Sequence, residues 1–202
     1  MLIYLVRHGE SYVNLERTFS YKRVDEGLTP RGQEQAHRLA TWFKQEQHTR
    51  RITRVYSSPL KRGLETARAI AEAIGAPMEP TEALREINVG NLEGRNDQPA
   101  WDAHDAILRR WHQGDPEARF PDGENFLELE NRVRSFLQQL PESGDVVAVG
   151  HGGIFCNVLP QLCEIAWNDN TRPFTLDNTG VSIFRREDVF TCEQWNGQAH
   201  LV

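Results

Sequence analysis

The sequence predicts an α/β protein: a three-layer α/β/α sandwich around a largely parallel central sheet. Three observations carry this expectation. Residues 2–6 and 145–149 are two short runs too continuously apolar for one-sided alternation, as in strands buried on both faces. Longer stretches with apolar residues at helical spacing separate the strand-like runs, which is the pattern of crossover connections. Cap and breaker residues fall at the boundaries between the two kinds of segment.

Taken in order, residues 2–6 form the first buried strand and residues 8–28 read as polar and loop-like. Thr29-Pro30 supplies an N-cap followed by proline at the first helical position. Ala36, Leu39, Ala40 and Phe43 then mark a helix over 30–46. Residues 52–56 make a second strand. Ser58-Pro59 repeats the cap signal before Leu60, Leu64, Ala67, Ala71 and Ile74, and Gly75-Ala76-Pro77 ends that helix. Residues 85–123, rich in Gly, Asn, Asp, Pro and Trp, predict a short helix at 99–112 within a segment laid over the sheet. Phe126, Leu129, Val133, Phe136, Leu137 and Leu140 draw a helix that stops before Pro141. After the 145–149 strand, His151-Gly152-Gly153 leads into an apolar helix, and residues 181–185 and 189–195 close the chain as a strand pair. At 202 residues the chain is read as one domain, 1–202, with a cap-like insertion at about 95–123.

Charge narrows the function. There are 23 basic and 29 acidic residues, a formal net charge of −6, and general affinity for nucleic acid or anionic membrane normally needs a basic surface. A small anionic ligand is still permitted, because a pocket can be cationic inside an acidic protein. Cys156, Cys163 and Cys192 are odd in number and lack metal-like spacing, so a disulfide scaffold is not expected and a reducing cytoplasm is. Cys156 and Cys163 read as small buried hydrophobes on one helix face. The apolar N-terminal run is too short for a signal h-region or a membrane span. Arg50, Arg51 and Arg54 read as a solvated turn, and Trp101 and Trp111 as packing for the inserted segment, with a place at a pocket mouth as the alternative.

The chemistry concentrates at strand ends. LVRHGE (5–10) and AVGHGG (148–153) each place a histidine and a glycine just past a buried strand. In open parallel sheets ligands bind at that carboxyl edge. Arg62 lies early in the helix that follows another strand, and a guanidinium suits bidentate capture of phosphate oxygens. Arg7, His8, Arg62 and His151 therefore form one candidate constellation.

These residues sit in segments that resemble the histidine phosphatase superfamily, which includes the cofactor-dependent phosphoglycerate mutases. The resemblance runs through LVRHGESYVN (5–14), LTPRGQEQA (28–36), SSPLKRGLETA (57–67), REINVGNLEG (85–94), FPDGENFLELENRV (120–133), VGHGG (149–153) and WNGQAHL (195–201), nearly the whole chain in order. It implies a phosphoglycerate mutase-like fold, with His8 as a nucleophile that carries a phosphoryl group as phosphohistidine. It also implies that Arg7, Arg62 and His151 clamp the phosphate, with Asn14 as an extra donor, Gly152 allowing close backbone approach and Ser20 as a further binding candidate. Glu86 matches the family's general-acid position, and Glu93 is a weaker rival. No metal or cofactor is expected.

Three features favour a phosphatase over a mutase. The long insertion of the mutase branch is missing, the second histidine is followed by Gly-Gly, and Phe19-Ser20-Tyr21-Lys22 replaces the usual Phe-Gln-Gly. Lys22 and Arg23 in that loop are read as exposed. The expectation is a metal-independent phosphomonoesterase acting on a small phosphorylated metabolite and releasing inorganic phosphate, with a mutase as the first alternative and a catalytically idle binding or dimerisation module as the second. Sugar phosphates, phosphoglycerates, phosphoserine, α-ribazole phosphate and a broad range stay open as substrates, as does the oligomeric state.

Overall fold

A computed structural model describes residues 1–163, 175–187 and 190–201. Its centre is a mixed six-stranded sheet in the order β3-β2-β4-β1-β5-β6. The strands are β1 (Leu2–Arg7), β2 (Ile52–Ser57), β3 (Met78–Pro80), β4 (Asp145–Gly150), β5 (Val181–Arg186) and β6 (Phe190–Gly197). β3, β2, β4 and β1 run parallel, while β5 is antiparallel to β1 and β6 to β5. The parallel expectation thus holds for four strands, and the C-terminal pair turns back as a hairpin.

Six helices accompany the sheet: α1 (Tyr12–Glu16), α2 (Pro30–Glu46), α3 (Lys61–Ile74), α4 (Gln98–His112), α5 (Phe126–Gln139) and α6 (Gly152–Leu162). Strand alternation divides the core. Leu2, Tyr4, Val6, Val147 and Val149 face Leu39 and Phe43 of α2 and Ala67, Ile70 and Ile74 of α3. Ile3, Leu5, Val146 and Ala148 face Leu129, Val133 and Phe136 of α5 and Ile154, Phe155 and Val158 of α6. Both faces of β1 and β4 are therefore covered, which is why their sequences are continuous apolar runs.

Local signals explain most boundaries. Thr29 Oγ1 accepts from the Gly32 amide, and Asp97 and Asn125 cap α4 and α5 in the same way. Ser58 does not cap α3: the helix starts at Lys61 with Leu60 in the cap position and no side-chain cap bond. The Ser58 hydroxyl instead accepts from the Leu60 amide and meets His151. Residues 8–28 are not all loop, because α1 lies within them, and β3 is an added edge strand. Position 189, the expected start of the last strand, lies outside the described residues.

Gly90, at φ +56°, carries the close approach of residues 88–90 to 121–123, where a Cβ would strike the Pro121 carbonyl. Arg132 ties the same region together. Its guanidinium pairs with Glu124 and donates to the carbonyls of Ala83 and Glu86.

Phe43 is fully buried on the α2/α3 face, remote from these segments. Phe43→Ala is expected to cost about 3–5 kcal/mol in urea unfolding, while the activity of the remaining folded protein stays close to wild type.

Candidate active site

β1, β4 and β2 are adjacent and parallel, so their carboxyl ends share one edge, with Arg7 registered against Gly150 and Ser57 against Val149. Each strand hands its next residue to that edge: His8 after β1, Ser58 after β2 and His151 after β4. The His8 and His151 rings lie 5.0 Å apart between centroids. Arg62, in the first turn of α3, reaches the same point.

The hydrogen bonds define the state of His8. Its Nδ1 lies 2.6 Å from the Gly9 carbonyl, an acceptor only, so Nδ1 carries the proton and donates. Nε2 is then the lone-pair nitrogen, and it accepts from Arg62 Nε at 3.2 Å. Burial, and then the neighbouring guanidiniums of Arg62 and Arg7, hold the His8 pKa well below the usual histidine value. His151 is held low by burial and by Arg62, His8 and Arg7.

Arg62 is buried and Arg7 half-buried. Desolvation lowers Arg7 and brings Arg62 down to about 10. Arg62 donates to the Ser20 hydroxyl (2.8 Å) and carbonyl (3.2 Å), and Arg7 Nη1 donates to the Leu176 carbonyl. Neither forms an ion pair among the described residues. Arg7 Nε and His151 Nδ1 are buried polar atoms without a hydrogen-bond partner among the described residues. The arrangement is cationic, donor-rich and undersatisfied, which is the chemistry of an anion site.

Asn14 lines the same cavity. Its Oδ1 accepts from the Ser11 amide, the Ser11 hydroxyl and Asn178 Nδ2. With the oxygen so occupied, the amide NH₂ is the end left to face a ligand. Ser20 orients Arg62, and Gly152 lies against the Arg7 side chain, where an added Cβ would make contact at 3.4 Å.

Glu86 also borders the cavity. It is not paired with Arg85, which binds Glu82 and the Tyr21 carbonyl. Its carboxylate accepts from the amides of Gly153, Ile154 and Ile87. Glu86 thus occupies the N-terminus of α6, so two of that helix's first amides point at a side chain and not outward into the site.

Glu93 lies elsewhere. One of its oxygens accepts from the backbone amides of Tyr21, Lys22, Arg23 and Val24, and it does not line this cavity. It holds the loop that carries Ser20, which removes it from consideration as an acid. Lys22 and Arg23 are exposed as expected, and Arg23 pairs with Glu93.

Several contributors carried no recognised sequence signal. Ser58 partners His151 at 2.7 Å, Thr66 accepts from the Gly9 amide, and Asn178 donates to the His8 carbonyl. Thr179, at φ 60°, donates its amide to the Arg7 and His8 carbonyls. The turn-prone Asp177-Asn-Thr-Gly180 string was the available clue.

The cavity measures about 520 Å³. Trp101 lines it, whereas Trp111 is core, donating to the Ala118 carbonyl. Cys156 also lines it, with burial pushing its thiol up to about 12, while Cys163 packs outside. Among the described residues no cluster of three or more His, Cys, Asp or Glu could hold a metal ion, and no helix is long and apolar enough to cross a membrane.

A model of the histidine phosphatase superfamily (branch 1) matches residues 3–198. The chain belongs to this superfamily. Among histidine phosphatase relatives, a protein named "Putative phosphoserine phosphatase 2" from Hydrogenobacter thermophilus is 32% identical over 191 residues, covering 92% of this chain and 89% of that one. "Probable phosphoglycerate mutase GpmB" of Escherichia coli is 34% identical over 198 residues, covering 96% and 89%. A crystal structure of Entamoeba histolytica phosphoserine phosphatase with 3-phosphoglyceric acid superposes with a TM-score of 0.79 at 26% identity, over 100% of this chain and 99% of that one. Histidine phosphatase membership and these relatives support a phosphatase enzyme.

The depressed histidines make stability pH-dependent. The unfolded chain takes up protons below about pH 6.5 that folded His8 and His151 refuse, so their contribution is complete above that pH and is lost as pH falls. In phosphate-free buffer, urea-unfolding free energy should drop between pH 6.5 and 5 with a slope approaching about 1.4 kcal/mol per pH unit for each histidine. His8→Ala should remove one proton's share of that slope.

Proposed function

We propose that this chain is a metal-independent phosphomonoesterase that hydrolyses a small phosphorylated metabolite through phosphohistidine on His8. The observation that carries the reading is the His8 tautomer, with Nδ1–H committed to Gly9 and the Nε2 lone pair aimed among buried cations. As the phosphate enters, the Arg62 N–H now donating to Nε2 passes to a phosphoryl oxygen. Arg7, Asn14 and His151 supply further donors. Ser58 sets the His151 tautomer by donating its hydroxyl proton to Nε2, which leaves Nδ1–H for the anion.

The Nε2 lone pair then forms the N–P bond as the P–O bond to the alcohol breaks. Guanidinium charge stabilises the equatorial oxygens, the largest contribution available in phosphoryl transfer. Glu86, the acid candidate, acts in its protonated form, taking up a proton from solvent or the phosphate monoanion and giving it to the departing alkoxide. It takes one back from the water that breaks the N–P bond, releasing inorganic phosphate and neutral His8. To do so the carboxyl must turn from the α6 amides towards the cavity.

His8→Ala should lower turnover by at least about 10³-fold and abolish an acid-labile phosphoenzyme trapped by rapid quench. Retained turnover would overturn the mechanism. Glu86→Gln should cost about 10²–10⁴-fold with alkyl monoesters and far less with p-nitrophenyl phosphate, whose leaving group needs no proton. A uniform loss would assign the acid elsewhere. Assays in EDTA, alongside conversion of 3-phosphoglycerate with bisphosphoglycerate present, separate this reading from the mutase. Isomerisation faster than phosphate release would favour the mutase.

A further inference from the structure

We infer that the leaving group selected by this site is uncharged and largely apolar, an aryl or aralkyl alcohol, and not a small carboxylic acid. The inference rests on the phosphomonoesterase reading above and names its substrate class. Beyond the phosphate-facing residues, much of the cavity wall is apolar, from Val13, Phe19, Ile87, Val89, Trp101 and Leu176, with Thr18, His104 and Thr175 among its polar members. The aromatic part of this wall is fixed. Phe19 lies 4.3 Å from Trp101 between ring centroids, and Trp101 Nε1 donates to the Arg17 carbonyl. His104, which also lines the cavity, stacks on Phe120.

Charge argues in the same direction. A second anionic group, such as the carboxylate of phosphoserine or phosphoglycerate, needs a cation of its own. Among the described residues, the cations lining the cavity are Arg7 and Arg62, both assigned to the phosphate, and Arg17. Arg17 is exposed, and its guanidinium lies over the Trp101 ring at 5.0 Å. Asp177 lines the same wall and would repel a carboxylate. A volume of about 520 Å³ falls in the range of pockets that enclose ring-sized ligands.

The test compares three monoesters of primary alcohols, so that leaving-group chemistry is similar: 2-phenylethyl phosphate, O-phosphoserine and 3-phosphoglycerate. Burying a phenyl group against this wall should raise kcat/KM for the phenylethyl ester over both acids by at least about tenfold, chiefly through KM. Trp101→Ala should lower the ratio of phenylethyl to phosphoserine kcat/KM by about fivefold or more. Turnover with equal preference, or preference for either acid, overturns this inference alone. No turnover of any of the three, or of p-nitrophenyl phosphate, overturns the phosphomonoesterase reading and this inference with it. The wild-type comparison decides the matter even where the variant fails to fold.

Discussion

The buried Arg62, the half-buried Arg7 and two buried, uncharged imidazoles meet at the carboxyl edge of the sheet, with no carboxylate in ion-pair contact with either arginine among the described residues. Burying a cation without a counter-charge is expensive, and here the expense shows in both lowered arginine pKa values and both neutral histidines. The surrounding structure is arranged to tolerate it. Carbonyls of Leu176 and Ser20 take guanidinium protons, and Gly9 takes the His8 proton. A dianionic phosphate entering this edge would supply the counter-charge, so the strained electrostatics of the edge and the proposed catalysis have one physical origin.

That arrangement depends on residues that never face the cavity. Glu93 gathers four successive amides of residues 21–24, and that loop presents Ser20 to Arg62. Arg132, held by Glu124, binds the Glu86 carbonyl from behind while the α6 amides hold its side chain. Asn178 joins the backbone of His8 to the side chain of Asn14. The candidate groups His8, Asn14, Arg62 and Glu86 are thus each held at two or more points, which suits groups kept ready for charge that appears only during transfer.

The long elements and strand-end groups were legible in the sequence because one short-range signal governs each. The helix over 30–46 has a cap, a proline and an unbroken apolar stripe, and its observed bounds match those signals. β1 and β4 were legible because burial on both faces leaves no polar alternation to confuse the period. Ser58 misled because its hydroxyl serves a histidine 93 positions away, a competition that local cap chemistry cannot register. α1 is a five-residue helix closed by Arg17 in the left-handed region, too short to show a period. The hairpin of β5 and β6 is a matter of topology, decided by which edge of β1 remained open after β4 had paired with the other. Glu93 was placed near the chemistry for a sound reason, its motif, but its carboxylate is spent on backbone amides.

The same distinction explains why the chemistry reads more easily than the substrate. The candidate reacting groups hang from the ends of β1, β2 and β4, whose register is dictated by core packing, so motif and position coincide. The apolar wall comes from Val13 of α1, Phe19, Ile87 and Val89, Trp101 of α4 and Leu176, with contacts such as Phe19 on Trp101 joining segments about 80 positions apart. No short motif can encode such a surface. A net charge of −6 fits this division. On the proposed reading, four nitrogen-bearing side chains at one sheet edge set the affinity for phosphate inside an acidic protein. What lies beyond that edge then decides which alcohol the phosphate arrives with.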